Sequence, residues 1–114
     1  MRFYARWILA AALVSPGLAY AACSSSLGDA GYCDQVLVKR VYMDATSNAY
    51  VEVDGNTSAL GCKLDGPWIM LPMNLQNSKA VYATLLAAQV AARPVQVRMV
   101  PSAAACTVAY VLMY

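Results

Sequence analysis

Four side chains in the central part of the sequence have the chemistry to contact a ligand. Tyr50 and Trp68 offer aromatic faces that stack on sugars, while Asp44 and Asn48 offer polar atoms in the segment that precedes Tyr50. We predict that these four residues form a ligand-binding surface, with no catalytic residue, metal site or cofactor. Trp68 also suits a second interpretation, in which it fills one end of a small barrel as part of the core.

The remaining polar residues do not assemble into a recognisable catalytic site. The chain has no histidine, so a nucleophile and base pair lacks its usual base. Glu52 and Asp54 share one face of a predicted strand and lie within range for general acid and base work, but a solvated outer face explains them more simply. We therefore predict a protein that is not an enzyme.

The first 21 residues have the three parts of a secretory signal peptide. Arg2 and Arg6 precede a short apolar run, and Ala19-Tyr20-Ala21 provides a cleavage site. The run is too short to span a bilayer, which takes about 20 apolar residues. We expect an exported protein, secreted or periplasmic, with no transmembrane segment after cleavage. A lipoprotein anchor at Cys23 is a minor alternative.

Removal of residues 1–21 also removes the net charge. The whole chain carries a formal charge of +2, and the two arginines of the leader account for it. The remainder has six basic and six acidic residues. A neutral domain lacks the basic patch of a nucleic-acid-binding protein, so we predict no nucleic-acid partner.

Four cysteines remain in an exported chain, where thiols pair. Of three possible connectivities, we favour Cys23–Cys33, which closes a short flexible loop, and Cys62–Cys106, whose members each adjoin a predicted strand. A zinc site is not supported, since the chain has neither histidine nor a C-x-x-C pair.

The elements that must position these residues follow from composition and periodicity. Residues 22–34 are polar and aperiodic and are predicted to be a disulfide-tied arm before a single domain at 35–114. Strands are predicted at 35–43, 50–54, 60–65, 95–99 and 107–114. Residues 79–92 predict a helix, since they contain six alanines and neither glycine nor proline. This order, β-β-β-α-β-β, is that of the OB-fold, a five-stranded barrel; a plain α+β sandwich is the alternative.

Several stretches resemble the binding subunits of AB5 toxins, above all those of subtilase cytotoxin and typhoid toxin. They are Gly61-Cys62-Lys63, Trp68, the helical segment at 82–89 and the strand at 93–98, and the resemblance covers about residues 35–100. It implies a secreted OB-fold that forms rings and binds host glycans. No sugar-contacting residue carries over, and a secreted OB-domain without toxin function would have the same pattern.

Two kinds of function are favoured, and an enzyme inhibitor is a third alternative. The first is a small secreted binding module, such as a glycan-binding toxin-like subunit. The second is a structural or accessory envelope protein that acts through protein contacts. In either case the alanine-rich side of the helix predicts a homo-oligomer, because small side chains let a second helix approach closely. That side consists of Ala80, Ala83, Ala87 and Ala91.

Overall fold

The computed structural model describes residues 21–114, and almost all of the predicted signal peptide lies outside these residues. The described part is mainly β, with seven strands, one short 3-10 helix and one α-helix. The strands are β1 (Ala22–Ser24), β2 (Tyr32–Val36), β3 (Val38–Met43), β4 (Asn48–Val53), β5 (Ile69–Pro72), β6 (Val95–Met99) and β7 (Val108–Met113). The 3-10 helix is Thr57–Ala59, and α1 is Ser78–Ala91.

The strands form two antiparallel sheets. Sheet A has the order β1-β2-β6-β7, and sheet B has the order β3-β4-β5. Only Leu37 separates β2 from β3, so one stretch of chain passes from sheet A into sheet B. The two sheets are not closed into a barrel, so the five-stranded barrel that the sequence predicts is not confirmed, whereas a mainly β fold with one helix is.

The core lies between the inner faces of the two sheets and the helix. Strand alternation places Val51, Ile69 and Val97 in it, and each of them is completely buried. From α1 it receives Leu85 and Ala88, which lie on the same side of the helix.

The helix begins and ends within one residue of its predicted bounds. Asn77 occupies the N-cap position without a side-chain hydrogen bond to the helix. The Ser78 hydroxyl instead donates to the Pro72 carbonyl at 2.5 Å, which fixes the start of the helix against the end of β5. Ala92 ends the helix in the left-handed region, directly before Arg93 and Pro94. No helix among residues 21–114 is long and apolar enough to cross a bilayer.

Two predictions about the strands are wrong. The third strand of the barrel order lies at Ile69–Pro72, outside the predicted strands, and residues 60–65 contain only isolated bridges at Lys63 and Asp65. Pro72 is compatible with a strand because it is the last residue of one. The predicted arm at 22–34 is also not an irregular segment, since it contains β1 and most of β2.

Both disulfides have the pairing that the sequence favours. Cys23 and Cys33 lie directly opposite each other on β1 and β2. The turn between these strands requires a glycine at Gly31, where φ is +92° and a Cβ would lie 2.0 Å from the Ser24 carbonyl oxygen. Cys62 and Cys106 instead join two segments distant in sequence, one after β4 and one before β7.

Candidate functional site

The candidate site lies on the outer face of sheet B. In the register of this sheet Arg40 is opposite Glu52, and Tyr42 is opposite Tyr50. Residues opposite each other in neighbouring strands point to the same side of the sheet. Their neighbours Val41 and Val51 face the core, so this side is the one that faces solvent.

Three aromatic rings on this face form one contiguous cluster. The ring centroids of Tyr42 and Tyr50 are 5.0 Å apart with nearly parallel planes. The Trp68 ring meets Tyr42 edge to face at a centroid distance of 4.7 Å. The guanidinium carbon of Arg40 lies 4.8 Å from the centroid of the Trp68 ring. Such contacts fix the ring orientations without burying them completely.

An open pocket of about 430 Å³ borders the cluster. Its wall is mostly apolar, with one basic and one acidic side chain at the rim, Lys63 and Asp65. The lining residues are Tyr50, Lys63, Leu64, Asp65, Trp68, Met70, Ala104, Ala105 and Cys106. The size and the apolar lining fall in the range of small-molecule sites in proteins.

The far wall of the pocket, formed by Lys63 and residues 104–106, is held in place by covalent and hydrogen bonds. The Lys63 amide donates to the Ala104 carbonyl at 2.8 Å, and the Cys106 amide donates to the Lys63 carbonyl at 2.8 Å. The disulfide between Cys62 and Cys106 joins the same two segments. The pocket is therefore partly preformed, which lowers the ordering cost of ligand binding.

Glu52 organises the charged end of this face. It accepts hydrogen bonds from the Arg40 guanidinium, with 2.5 Å to Nε, and its other carboxylate oxygen lies 3.3 Å from the Lys39 ammonium. Hydrogen bonding to Arg40 lowers the pKa of Glu52 below its ordinary value, and Lys39 adds to the effect. Glu52 is only 8% exposed, so the simple expectation of a solvated carboxylate is wrong for it. Asp54 is exposed and accepts a hydrogen bond from the Leu37 amide.

The turn between β3 and β4 holds Asp44 and Asn48 beside Tyr50. Asp44 accepts hydrogen bonds from the amides of Thr46 and Asn48, and the Asn48 contact is the main cause of the lowered pKa of Asp44. Burial raises the pKa of the Tyr50 phenol, and the nearby negative charge of Asp44 raises it further. These two polar residues therefore stabilise the turn and orient Tyr50; neither is among the residues that line the pocket.

The four predicted site residues thus divide into two pairs. Tyr50 and Trp68 line the pocket and belong to the aromatic cluster, whereas Asp44 and Asn48 lie in the supporting turn. Sequence reasoning missed Arg40 and Tyr42, which come from the neighbouring strand. The alternation along β3 places Arg40 and Tyr42 on one face, but only the pairing register shows that this face is the one that carries Tyr50.

The arrangement is suited to binding. It combines an apolar concave wall, exposed aromatic faces and a few charged groups at the rim, and among the described residues Glu52 is already neutralised by two cations. Comparisons of the chain with protein families, with characterised proteins and with solved structures give no match.

Proposed function

We propose that this protein is a small exported, non-enzymatic binding module that takes a glycan at the aromatic cluster of sheet B. One observation carries the proposal, namely that Tyr50 and Trp68 both line the 430 Å³ pocket and both contact Tyr42. The pyranose ring of a sugar has an apolar face of C–H groups that packs on an aromatic ring, while its hydroxyls need polar partners at the edge. Lys63, Asp65 and Arg40 supply such partners.

The chemistry around the pocket supports a binding role over a catalytic one. The chain has no histidine, and the buried carboxylate on this face, Glu52, is paired with Arg40 and Lys39. A general acid with a raised pKa is the typical feature of a carboxylate that hydrolyses glycosidic bonds, and the pKa of Glu52 is instead lowered.

The proposal includes an OB-fold-like arrangement of the strands. The helix lies between the third strand of sheet B and β6, in the order of that fold. Parallel bridges from Lys63 to Ala105 and from Met70 to Thr107 bring the β5 region next to the start of β7. These contacts support a partly open relative of the barrel, and they are compatible with kinship to the toxin subunits that the sequence resembles.

Export and self-association belong to the same proposal. The two disulfides suit an oxidising compartment, and Cys23 is bonded to Cys33, whereas a lipid anchor at Cys23 would need its sulfur free. The outer side of α1 leaves Ala80, Ala83 and Ala87 exposed, and together with Val90 they form a mainly apolar surface with Lys79 at its beginning. Such a surface supports a homo-oligomer.

Glycan binding is tested with the protein recovered after export from cells that express the full chain. Intact mass establishes the cleavage site and shows whether four thiol protons have been lost through disulfide formation. A glycan array then gives candidate sugars, and titration of the strongest with Trp68 fluorescence as the readout gives a Kd. We expect Trp68→Ala and Tyr50→Ala each to weaken binding at least about tenfold, as expected for buried aromatic anchors. Binding by Trp68→Ala is measured by calorimetry, because this variant lacks the fluorescent residue.

The matched control is Tyr110→Ala, which removes an exposed aromatic side chain from the outer face of sheet A. It should bind as the unchanged protein does. Tyr50→Phe retains the ring and should keep most of the affinity. A protein that is folded and binds no glycan on the array, but co-purifies with a larger envelope complex, would instead support the accessory function.

A further inference from the structure

One short motif lies outside the candidate site. Of the four asparagines of the chain, only Asn56 is followed two positions later by a serine or threonine, which is Ser58. The residue between them is Thr57 and not proline, so the stretch fits the acceptor motif for N-linked glycosylation. Some oligosaccharyltransferases require in addition an acidic residue two positions before the asparagine, and Asp54 occupies that position. The motif is therefore complete for either kind of enzyme.

The place of this motif in the fold decides whether it is usable, because short motifs also occur by chance. Asn56 and Ser58 are both exposed, and they lie in the loop after β4, around the 3-10 helix Thr57–Ala59. This loop is at the opposite end of β4 from the turn with Asp44, and neither Asn56 nor Ser58 lines the pocket beside Trp68. A glycan on Asn56 would therefore extend into solvent without entering the candidate site.

The residue before Asn56 packs tightly and sends the loop outward. A Cβ on Gly55 would lie 2.7 Å from Cγ1 of Val36 and 3.0 Å from the sulfur of Cys23, so the backbone here lies directly on the core. The next residue, Asn56, is exposed. Its side-chain amide therefore stands clear of the core, as the folded state requires of a residue that carries a glycan.

The loop is fixed at both ends and held less firmly between them. Before it, the Asp54 carboxylate accepts a hydrogen bond from the Leu37 amide at 2.8 Å. After it, the Ala59 carbonyl accepts one from the Ser25 hydroxyl at 2.7 Å. Between these points the Ala59 amide donates to the Asn56 carbonyl at 3.3 Å, a 3-10 contact of the kind that has poorer geometry than an α-helical one. Asn56 can therefore leave its turn at low cost while both ends stay in place.

The contact between the two recognition residues is compatible with modification. The Ser58 hydroxyl donates to Oδ1 of Asn56 at 2.5 Å. The atom that receives the sugar is Nδ2 of the same amide, and an amide substituted at nitrogen keeps its oxygen as an acceptor. The folded chain can therefore accommodate a glycosylated Asn56 without losing this hydrogen bond.

We propose that Asn56 is the acceptor of an N-linked glycan that is attached when the chain is exported. Nδ2 of Asn56 forms a bond to the anomeric carbon of the first sugar of a lipid-diphosphate-linked oligosaccharide. The bond from that carbon to the diphosphate oxygen breaks, the lipid diphosphate leaves with the bonding electron pair, and Nδ2 loses one proton. The proposal depends on export and is independent of ligand binding at the aromatic cluster.

The test expresses residues 22–114 behind a leader of the expression host, so that export does not depend on the chain's own leader. Two strains both make the lipid-linked oligosaccharide and differ only in an oligosaccharyltransferase that requires the acidic residue. We expect the exported protein to gain the mass of one oligosaccharide in the strain with the enzyme, and peptide fragmentation to place it on Asn56. An exported, folded protein without added mass in that strain would overturn the proposal.

Three variants test whether the motif is what the enzyme recognises. Ser58→Ala retains Asn56 but removes the hydroxyl, and it should lose the added mass completely. Ser58→Thr restores a hydroxyl and should be modified as fully as the unchanged protein. The matched control is Ser102→Ala, which changes an exposed loop serine outside the motif and should leave the modified fraction unchanged.

A substitution at Asp54 separates recognition from a purely structural role in the turn. Asp54→Ser removes the charge but provides an oxygen that can still accept from the Leu37 amide. We expect this variant to keep its Tm and to lose the glycan, whereas Asp54→Glu should recover it. Continued modification of Ser58→Ala or of Asp54→Ser would contradict recognition through this motif, since both residues would then serve the turn alone.

Discussion

The outer faces of the two sheets both carry aromatic residues but arrange them differently. At sheet B, Tyr42, Tyr50 and Trp68 contact one another and border a pocket. At sheet A, Tyr32 and Tyr110 lie on either side of Arg98 in the sheet register, and each of them is exposed by more than a third. Similar side chains on two similar surfaces therefore give one concave site and one flat surface.

The difference arises from what adjoins each face. The loop that precedes β7 is fastened beside sheet B by Cys62–Cys106 and by two backbone hydrogen bonds of 2.8 Å, and it forms the far wall of the pocket. The disulfide of sheet A, Cys23–Cys33, joins two strands that are already paired and adds no wall. Aromatic residues become a binding site when a second segment of chain confines the space in front of them.

The largest effect should come from removing these disulfides one at a time. Replacement of Cys62 and Cys106 by serine opens a loop with a sequence separation of 44, and the chain-entropy estimate is a loss of about 4 kcal/mol. The corresponding change at Cys23 and Cys33, with a separation of 10, should cost about 3 kcal/mol. Urea denaturation followed by circular dichroism measures both.

The two double variants should differ more clearly at the site than in stability. Loss of Cys62–Cys106 should shift the emission of Trp68 and weaken glycan binding, because it releases the pocket wall. Loss of Cys23–Cys33 should leave both unchanged in protein that is still folded. Equal effects of the two variants on Trp68 emission would show that the loop before β7 does not shape the site.

A smaller effect should distinguish the aromatic residues themselves. Tyr42→Ala removes two ring contacts at sheet B and should lower the free energy of unfolding by about 1 kcal/mol beyond its loss of buried area. Tyr110→Ala removes a half-exposed ring from sheet A and should change it by less than about 0.5 kcal/mol. Both are measured by urea denaturation followed by circular dichroism.

Tyr42→Phe is the control for this pair, since it retains the ring and loses only the hydroxyl. It should be close to the unchanged protein in stability. If Tyr110→Ala proved the more destabilising of the two alanine variants, the distinction between a packed cluster and a flat surface would not hold.

Local signals in the sequence predicted the elements that depend on local chemistry. The helix follows from its alanine content and the Arg93-Pro94 stop, and β6 follows from strict alternation over residues 95–99. The third strand of the barrel order was misplaced because residues 60–65 have suitable composition but make their contacts through isolated bridges. The apolar residues before Pro72 pair with β4, and that pairing depends on long-range register.

The site was predictable to the same limited extent. Tyr50 and Trp68 are aromatic residues that adjoin turns and can stack on a sugar, and both line the pocket. Arg40 and Tyr42 join them only because β3 pairs with β4 in one particular register. The wall at 104–106 is fastened by a disulfide whose partner is 44 residues away, so its exact position depends on a long-range bond.

The smallest effect should appear in the pH dependence of stability, where one ion-paired carboxylate beside each sheet is compared. Hydrogen bonding to Arg40 lowers the pKa of Glu52 at sheet B, and hydrogen bonding to Arg98 lowers the pKa of Asp29 at sheet A. A carboxyl whose pKa is lower in the folded state binds fewer protons there than in the unfolded chain. Its contribution is therefore complete above the unfolded-state values, 4.5 for Glu52 and 3.8 for Asp29, and is lost as the pH falls through the lowered values.

Thermal unfolding between pH 7 and pH 3 compares the two carboxylates directly. The Glu52 side chain is 11% exposed and the Asp29 side chain 29%, so water screens the Glu52 pairs less. Glu52→Gln should therefore reduce the acid-dependent fall in Tm more than Asp29→Asn does, and each variant should converge with the unchanged protein at the lowest pH. A larger effect of Asp29→Asn would mean that the ion pair anchoring the β1–β2 turn, and not the charged end of the candidate site, governs the acid sensitivity of the fold.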